Sequence, residues 1–159
     1  MAKKIKTNAT RIMESAKVPF ELMEYDIDEK LLSAEDAAAK TGIPEEQTFK
    51  TLCIRGDKNG IMMVCVPAGR ELDFKKLAHA SGNKSAELVH LKEVTGLTGY
   101  VRGGCSPLGT KKKYPVYIDE TALNFDFITV NAGHRGILFK LAPQDLISVT
   151  QATPADILR

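Results

Sequence analysis

The stretch Phe49-Lys50-Thr51-Leu52-Cys53-Ile54-Arg55-Gly56-Asp57-Lys58-Asn59-Gly60-Ile61-Met62-Met63-Val64-Cys65-Val66 decides the fold. Phe49 to Arg55 and Ile61 to Val66 read as strands, and the Gly-Asp-Lys-Asn-Gly turn between them predicts a β-hairpin. Ile61 to Pro67 is the longest apolar run. It is strand-length, too short to cross a membrane. Period two puts Lys50 on the same face as Leu52 and Ile54. A lysine there either lies near the strand mouth with its stem snorkelling outward, or is held in a pocket by an anionic partner.

Upstream of the hairpin, Asn8 is placed to cap a helix through Lys17, with Ile12, Met13 and Ala16 on one face. Phe20 to Asp26 follows as a short strand. Ser33-Ala34-Glu35-Asp36 is an imperfect capping box opening a helix that stops at Gly42. Downstream, Asp73 caps a helix through His79, and a short helix is expected near Leu91 to Thr95. Val116 to Asp119, Phe125 to Asn131 and Gly136 to Leu141 are strand-like, and Pro143 suits the first turn of a helix to about Thr150. Helices and hairpins mix without βαβ alternation. The expected fold is therefore α+β: one domain over 1–159, a curved, mixed, barrel-like sheet flanked by helices.

At 159 residues the chain is long enough to bury a sizeable core. A net charge of +2 is too small for strong nucleic-acid binding, so contact with RNA is expected to be local or helped by a third molecule. Cys53, Cys65 and Cys105 form no C-x-x-C pair, and His79, His90 and His134 show no zinc-ligand spacing. Neither metal nor cofactor is expected. Sparse, odd cysteines and the lack of a signal-like or membrane-spanning segment read as a soluble, cytoplasmic protein.

Gly103-Gly104-Cys105-Ser106-Pro107-Leu108-Gly109-Thr110-Lys111-Lys112-Lys113 carries the strongest chemical signal. Its glycines let the backbone turn sharply and let a ligand approach the main chain. Amide N–H groups held there suit an anion or a developing oxyanion; the alternative is a long structural turn beside solvated lysines. Gly104 to Gly109 has phosphate-loop spacing, but Thr110-Lys111 reverses the required order and a strand follows, which excludes a nucleotide triphosphatase. Cys105 and Ser106 each lack an evident base. Asn131-Ala132-Gly133-His134-Arg135-Gly136 is a second glycine turn, in which Arg135 either is simply exposed or helps hold a phosphate. Lys75-Lys76 and Lys111 to Lys113 read as solvated faces suited to weak phosphate steering.

Five of these segments, in order along nearly the whole chain, resemble the YbaK-type aminoacyl-tRNA deacylases. They are Phe49-Lys50-Thr51-Leu52, Val64 to Gly69, Leu72 to Lys76, Thr98 to Gly109 and Ala132 to Gly136. The pattern is most like the Cys-tRNA(Pro) and Cys-tRNA(Cys) deacylase branch, related to the editing domain inserted in bacterial prolyl-tRNA synthetases. The resemblance implies a trans-acting enzyme that removes cysteine from tRNA(Pro), with the cysteine's own thiol attacking its ester. It implies the aminoacylated acceptor end of tRNA and, transiently, prolyl-tRNA synthetase as partners.

The resemblance also implies roles. Lys50 would orient the ester and terminal ribose, Tyr25 would join it, and the amides of Gly103 and Gly104 would approach the substrate carbonyl. Thr51, Ser106, Pro107, Asn131, Gly133 and Arg135 would line the substrate pocket. Leu138 stands where the cysteine deacylases carry an acidic residue, and Ser33 where a relative has phenylalanine. Two other readings follow: deacylation of another mischarged tRNA such as Ala-tRNA(Pro), or a non-catalytic module binding tRNA or a synthetase.

Overall fold

The computed structural model describes residues 6–28, 30 and 32–159; of the expected domain span, 1–5, 29 and 31 lie outside them. In chain order the elements are α1 (Asn8–Ala16), β1 (Glu21–Glu24), α2 (Ala34–Thr41), β2 (Phe49–Gly56), β3 (Gly60–Pro67), α3 (Phe74–Ser81) and β4 (Ala86–Leu88). They continue with α4 (Leu91–Thr98), β5 (Val116–Asp119), β6 (Ile128–Asn131), β7 (Ile137–Leu141), α5 (Pro143–Thr150) and β8 (Thr153–Ala155). The fold is α+β.

The expected hairpin forms: β2 and β3 pair antiparallel from Phe49–Pro67 to Gly56–Gly60, so the Asp-Lys-Asn segment is the turn. This hairpin is the centre of a five-stranded sheet ordered β4-β2-β3-β5-β8, in which β3–β5 and β5–β8 run parallel. A second sheet, β1-β7-β6, is wholly antiparallel. The expectation of one curved, barrel-like sheet is thus corrected: two sheets meet through an isolated parallel bridge, Thr48–Thr129, and no barrel closes. The reason is that β3 and β8 already occupy both sides of β5, so the short strands β1, β6 and β7 pair only with one another.

Strand parity sorts the core. Phe49 and Cys53 of β2 and Met63 and Cys65 of β3 face a large cluster with Met13, Ile128, Val130, Phe139 and Leu146. Ile54, Met62, Val64 and Val66 face the other way, onto Leu72, Leu77, Ile157 and Leu158. Because β3 is buried on both faces, its sequence is apolar without alternation.

Local chemistry sets the helix ends. Thr7, not Asn8, caps α1, in a capping box with Thr10, and the buried face is Ala9, Thr10 and Met13; Ile12 is exposed. On α2 the box of Ser33 and Asp36 is complete in both directions, since Asp36 reaches back to the Ser33 amide. Asp73 caps α3 as expected, and α4 runs on to Thr98 before Gly99 stops it. The short strands β4 and β8 carry little sequence signal, and Pro154 is tolerated because β8 is an edge. No described helix is long and apolar enough to cross a membrane.

Candidate active site

A cleft of about 580 Å³ opens between α2, the N-terminal end of β2, α4 and the loop after α4. Tyr25, Lys50, Thr51, Gly103 and Asn131 all line it. Lys50 stands where β2 emerges from cover. Its side chain, 31% exposed, reaches to 3.9 Å from Oε1 of Glu35, itself on the cleft wall. Both readings of this lysine therefore hold in part, because the stem leaves an apolar face and the ammonium has an anionic neighbour.

Glu35 is the residue the sequence did not single out. It lies in the first turn of α2, and its Oε1 also accepts the Gly69 N–H at 2.8 Å. That hydrogen bond, with the Lys50 charge behind it, holds the Glu35 carboxyl below the ordinary glutamate value against the opposing effect of burial. The Tyr25 phenol moves the other way. Partial burial raises it, the Asp36 carboxylate adds to the rise and a backbone hydrogen bond with Gly136 opposes it. Tyr25 therefore stays a protonated donor at neutral pH.

The glycine loop is held by its neighbours. Asn131 is the knot: its Nδ2 donates to the carbonyls of Gly103 (3.0 Å) and His134 (3.1 Å), and its Oδ1 accepts from Gly133 (2.7 Å) and His134 (3.1 Å). Arg135 Nε donates to the Arg102 carbonyl at 2.7 Å, and Tyr100 donates its hydroxyl to the Leu108 carbonyl. Gly103 has φ +82°, and a Cβ there would also press on Leu32 at 3.3 Å, so both backbone and space require glycine. The Gly103 N–H has no internal acceptor among the described residues.

The glycine pair splits at this point. Gly104 is buried, donates its N–H to Val101 at 2.9 Å and packs on the Arg135 backbone, so its amide does not approach the cleft. Ser106 and Pro107 are also buried; Ser106 Oγ accepts from Leu108 at 3.3 Å. Gly133 sits against Tyr100 and Thr7. These residues, with Arg135, hold the loops from behind instead of lining the pocket.

The three cysteines, far apart in sequence, come close together: Cys53 and Cys105 line the cleft and Cys65 is buried behind them. Burial pushes the Cys105 thiol up to about 12, and the proximity of Cys53 and Cys65 adds to the rise. Burial likewise raises Cys53, and takes the enclosed Cys65 to about 12. A thiol kept protonated is a poor nucleophile, so Cys105, which also lacked an evident base in the sequence, is a packed residue of the cleft. Among the described residues no group of three or more His, Cys, Asp or Glu is arranged to hold a metal ion.

A family model described as the aminoacyl-tRNA editing domain matches residues 28–149, which include every cleft residue named above except Tyr25. This chain belongs to the aminoacyl-tRNA editing domain family. EbsC of Enterococcus faecalis, named as a candidate Cys-tRNA(Pro)/Cys-tRNA(Cys) deacylase, is 47% identical over 152 residues, covering 96% of this chain and 93% of EbsC. The proline–tRNA ligase of Burkholderia cenocepacia is 28% identical over 118 residues, 72% of this chain and 20% of the ligase. A solved structure of a candidate trans-editing enzyme for prolyl-tRNA synthetase has TM-score 0.84 at 26% identity, covering 98% of this chain and 99% of its own.

Within this editing domain, Leu138 is buried on β7 and forms part of the cleft wall. It pairs with Asn131 of β6 on one side and Met23 of β1 on the other. The wall there is apolar. Glu35 supplies the carboxylate of the cleft instead, from α2 and next to Lys50.

Proposed function

We propose that this chain is a trans-acting deacylase that releases cysteine from Cys-tRNA(Pro), and from Cys-tRNA(Cys), in the cytoplasm. One observation carries the reading. Lys50 and Gly103, whose N–H has no acceptor among the described residues, line a single cleft whose own thiols are held protonated. The protein thus offers charge and hydrogen-bond donors without an activated nucleophile. The likeness to EbsC over most of both chains supports the choice of substrate.

The chemistry then comes from the cargo. The thiol of the esterified cysteine attacks its own carbonyl carbon, forming a C–S bond and an oxyanion. Collapse breaks the ester C–O bond, and the thiol proton passes to the departing ribose oxygen. The products are a cyclic thiolactone and tRNA with a free terminal hydroxyl; water later opens the thiolactone to cysteine. Lys50 and the Gly103 N–H stabilise the oxyanion, while Tyr25 and Thr51 orient ester and ribose. A preorganised donor of this kind is worth about 10²–10³ in rate. Holding thiol and carbonyl together adds the gain of an intramolecular reaction.

A net charge of +2 gives the tRNA body little to bind, so tRNA choice falls to a transient complex with prolyl-tRNA synthetase. The test incubates the purified protein with Cys-tRNA(Pro), Cys-tRNA(Cys) and Ala-tRNA(Pro), beside Lys50→Ala. Cysteine is expected to leave both tRNAs at similar rates, and the variant is expected to be slower by about 100-fold. Alanine release in preference to cysteine, or an unimpaired variant, overturns the proposal.

A further inference from the structure

We propose that a second groove, adjoining the cleft across β2, binds the nucleotides that precede the terminal adenosine of the tRNA. The inference rests on the deacylase reading and extends the substrate site beyond the ester. The groove encloses about 640 Å³; Leu52, Leu72, Phe74 and Leu88 give it an apolar lining, and Lys50, Lys75 and Arg159 line it beside two carboxylates, Glu71 and Asp73. Lys50, Leu52 and Leu88 line both spaces, and Lys50 is the charged residue they share. A chain whose terminal ribose sits at Lys50 therefore has a continuous path into the groove.

The lining chemistry selects a nucleotide. Phe74 and Leu88 remain 39% and 55% exposed, giving an aromatic face and an aliphatic floor in contact with water. A nucleobase stacks on such a surface whatever its identity. Most of the charge around it is already committed. Arg159 pairs with Glu71 at 2.7 Å, Lys76 pairs with Asp156 at 3.3 Å, and Asp73 caps α3. Lys75, on the exposed first turn of α3, has no ion-pair partner among the described residues and is placed to take a backbone phosphate. One ring and one uncommitted ammonium suit one or two nucleotides. They do not suit a long electrostatic track, which agrees with the small net charge.

The experiment compares cysteine esterified to full-length tRNA(Pro) with cysteine esterified to adenosine alone, for wild type, Phe74→Ala and Lys75→Glu. In both variants kcat/KM for the tRNA is expected to fall relative to that for the adenosine ester, by about fivefold or more for Phe74→Ala. A fall of equal size on both substrates, or on neither, overturns the groove. Should wild type release cysteine from neither substrate, the deacylase reading itself fails. The groove is then judged by fluorescence anisotropy with a labelled, uncharged acceptor-end RNA. Weaker binding by Lys75→Glu sustains it and unchanged binding removes it.

Discussion

At the scale of single residues, the pairing of Glu35 with Lys50 has a positional meaning more than an energetic one. Their side chains are 42% and 31% exposed at 3.9 Å, a geometry that adds only about 0–1 kcal/mol to stability. Its consequence is that the Lys50 ammonium has a fixed neighbour anchored to the Gly69 amide. In Glu35→Gln the amide oxygen keeps accepting from Gly69 while the charge is lost. We expect kcat/KM to fall about three- to tenfold with little change in melting temperature. In a Lys50→Ala background the same change should cost less than about twofold, and additive losses would show that Glu35 acts independently.

The pH dependence follows from the direction of the Glu35 shift. Its folded-state pKa lies below the unfolded value, so its contribution to stability is complete above about pH 4.3 and disappears as pH falls through the folded value. Lys50 was legible from period two alone, as a cation on an apolar face. Glu35 was not, because its partner amide lies 34 positions away and its place in the first turn of α2 explains an acidic residue without any site.

Elements and loops carry the next level of organisation. The loop after α4 and the β6–β7 turn are one unit, because Asn131 satisfies four backbone groups drawn from both. Asn131→Ala leaves those half-buried and exposed groups to find water, at a net cost of about 0.5–1.5 kcal/mol per hydrogen bond lost. The expected result is a lower melting temperature together with a lower kcat, as Gly103 loses its fixed position. Full activity in a destabilised variant would show that the cleft does not depend on this knot.

The two glycine turns were visible in sequence through composition. Their mutual packing was not, so Ser106, Pro107, Gly133 and Arg135 read as pocket residues although they brace the loops. The hairpin, α3 and α5 were legible because turn and cap residues mark their ends. β4 and β8 were not, being three residues each with no periodicity to read.

For the molecule as a whole, the β2–β3 hairpin is both the centre of the fold and the carrier of the site. Clusters on its two faces fix the register that brings Lys50 to the cleft rim. The pairing of β3 with β5 and of β5 with β8 joins segments tens of residues apart. Such non-local contacts leave no mark on strand composition, which is why one curved sheet was expected where two exist.

The central claim is that the substrate supplies the nucleophile while the protein supplies charge and position. Single-turnover release from Cys-tRNA(Pro) and from Ser-tRNA(Pro) tests it most directly, since the two cargoes differ by one atom, sulfur against oxygen. The account predicts that cysteine leaves at least about 100-fold faster than serine, with the difference collapsing when Lys50 is replaced. Equal rates for the two amino acids would mean that water is the attacking group, and would contradict it.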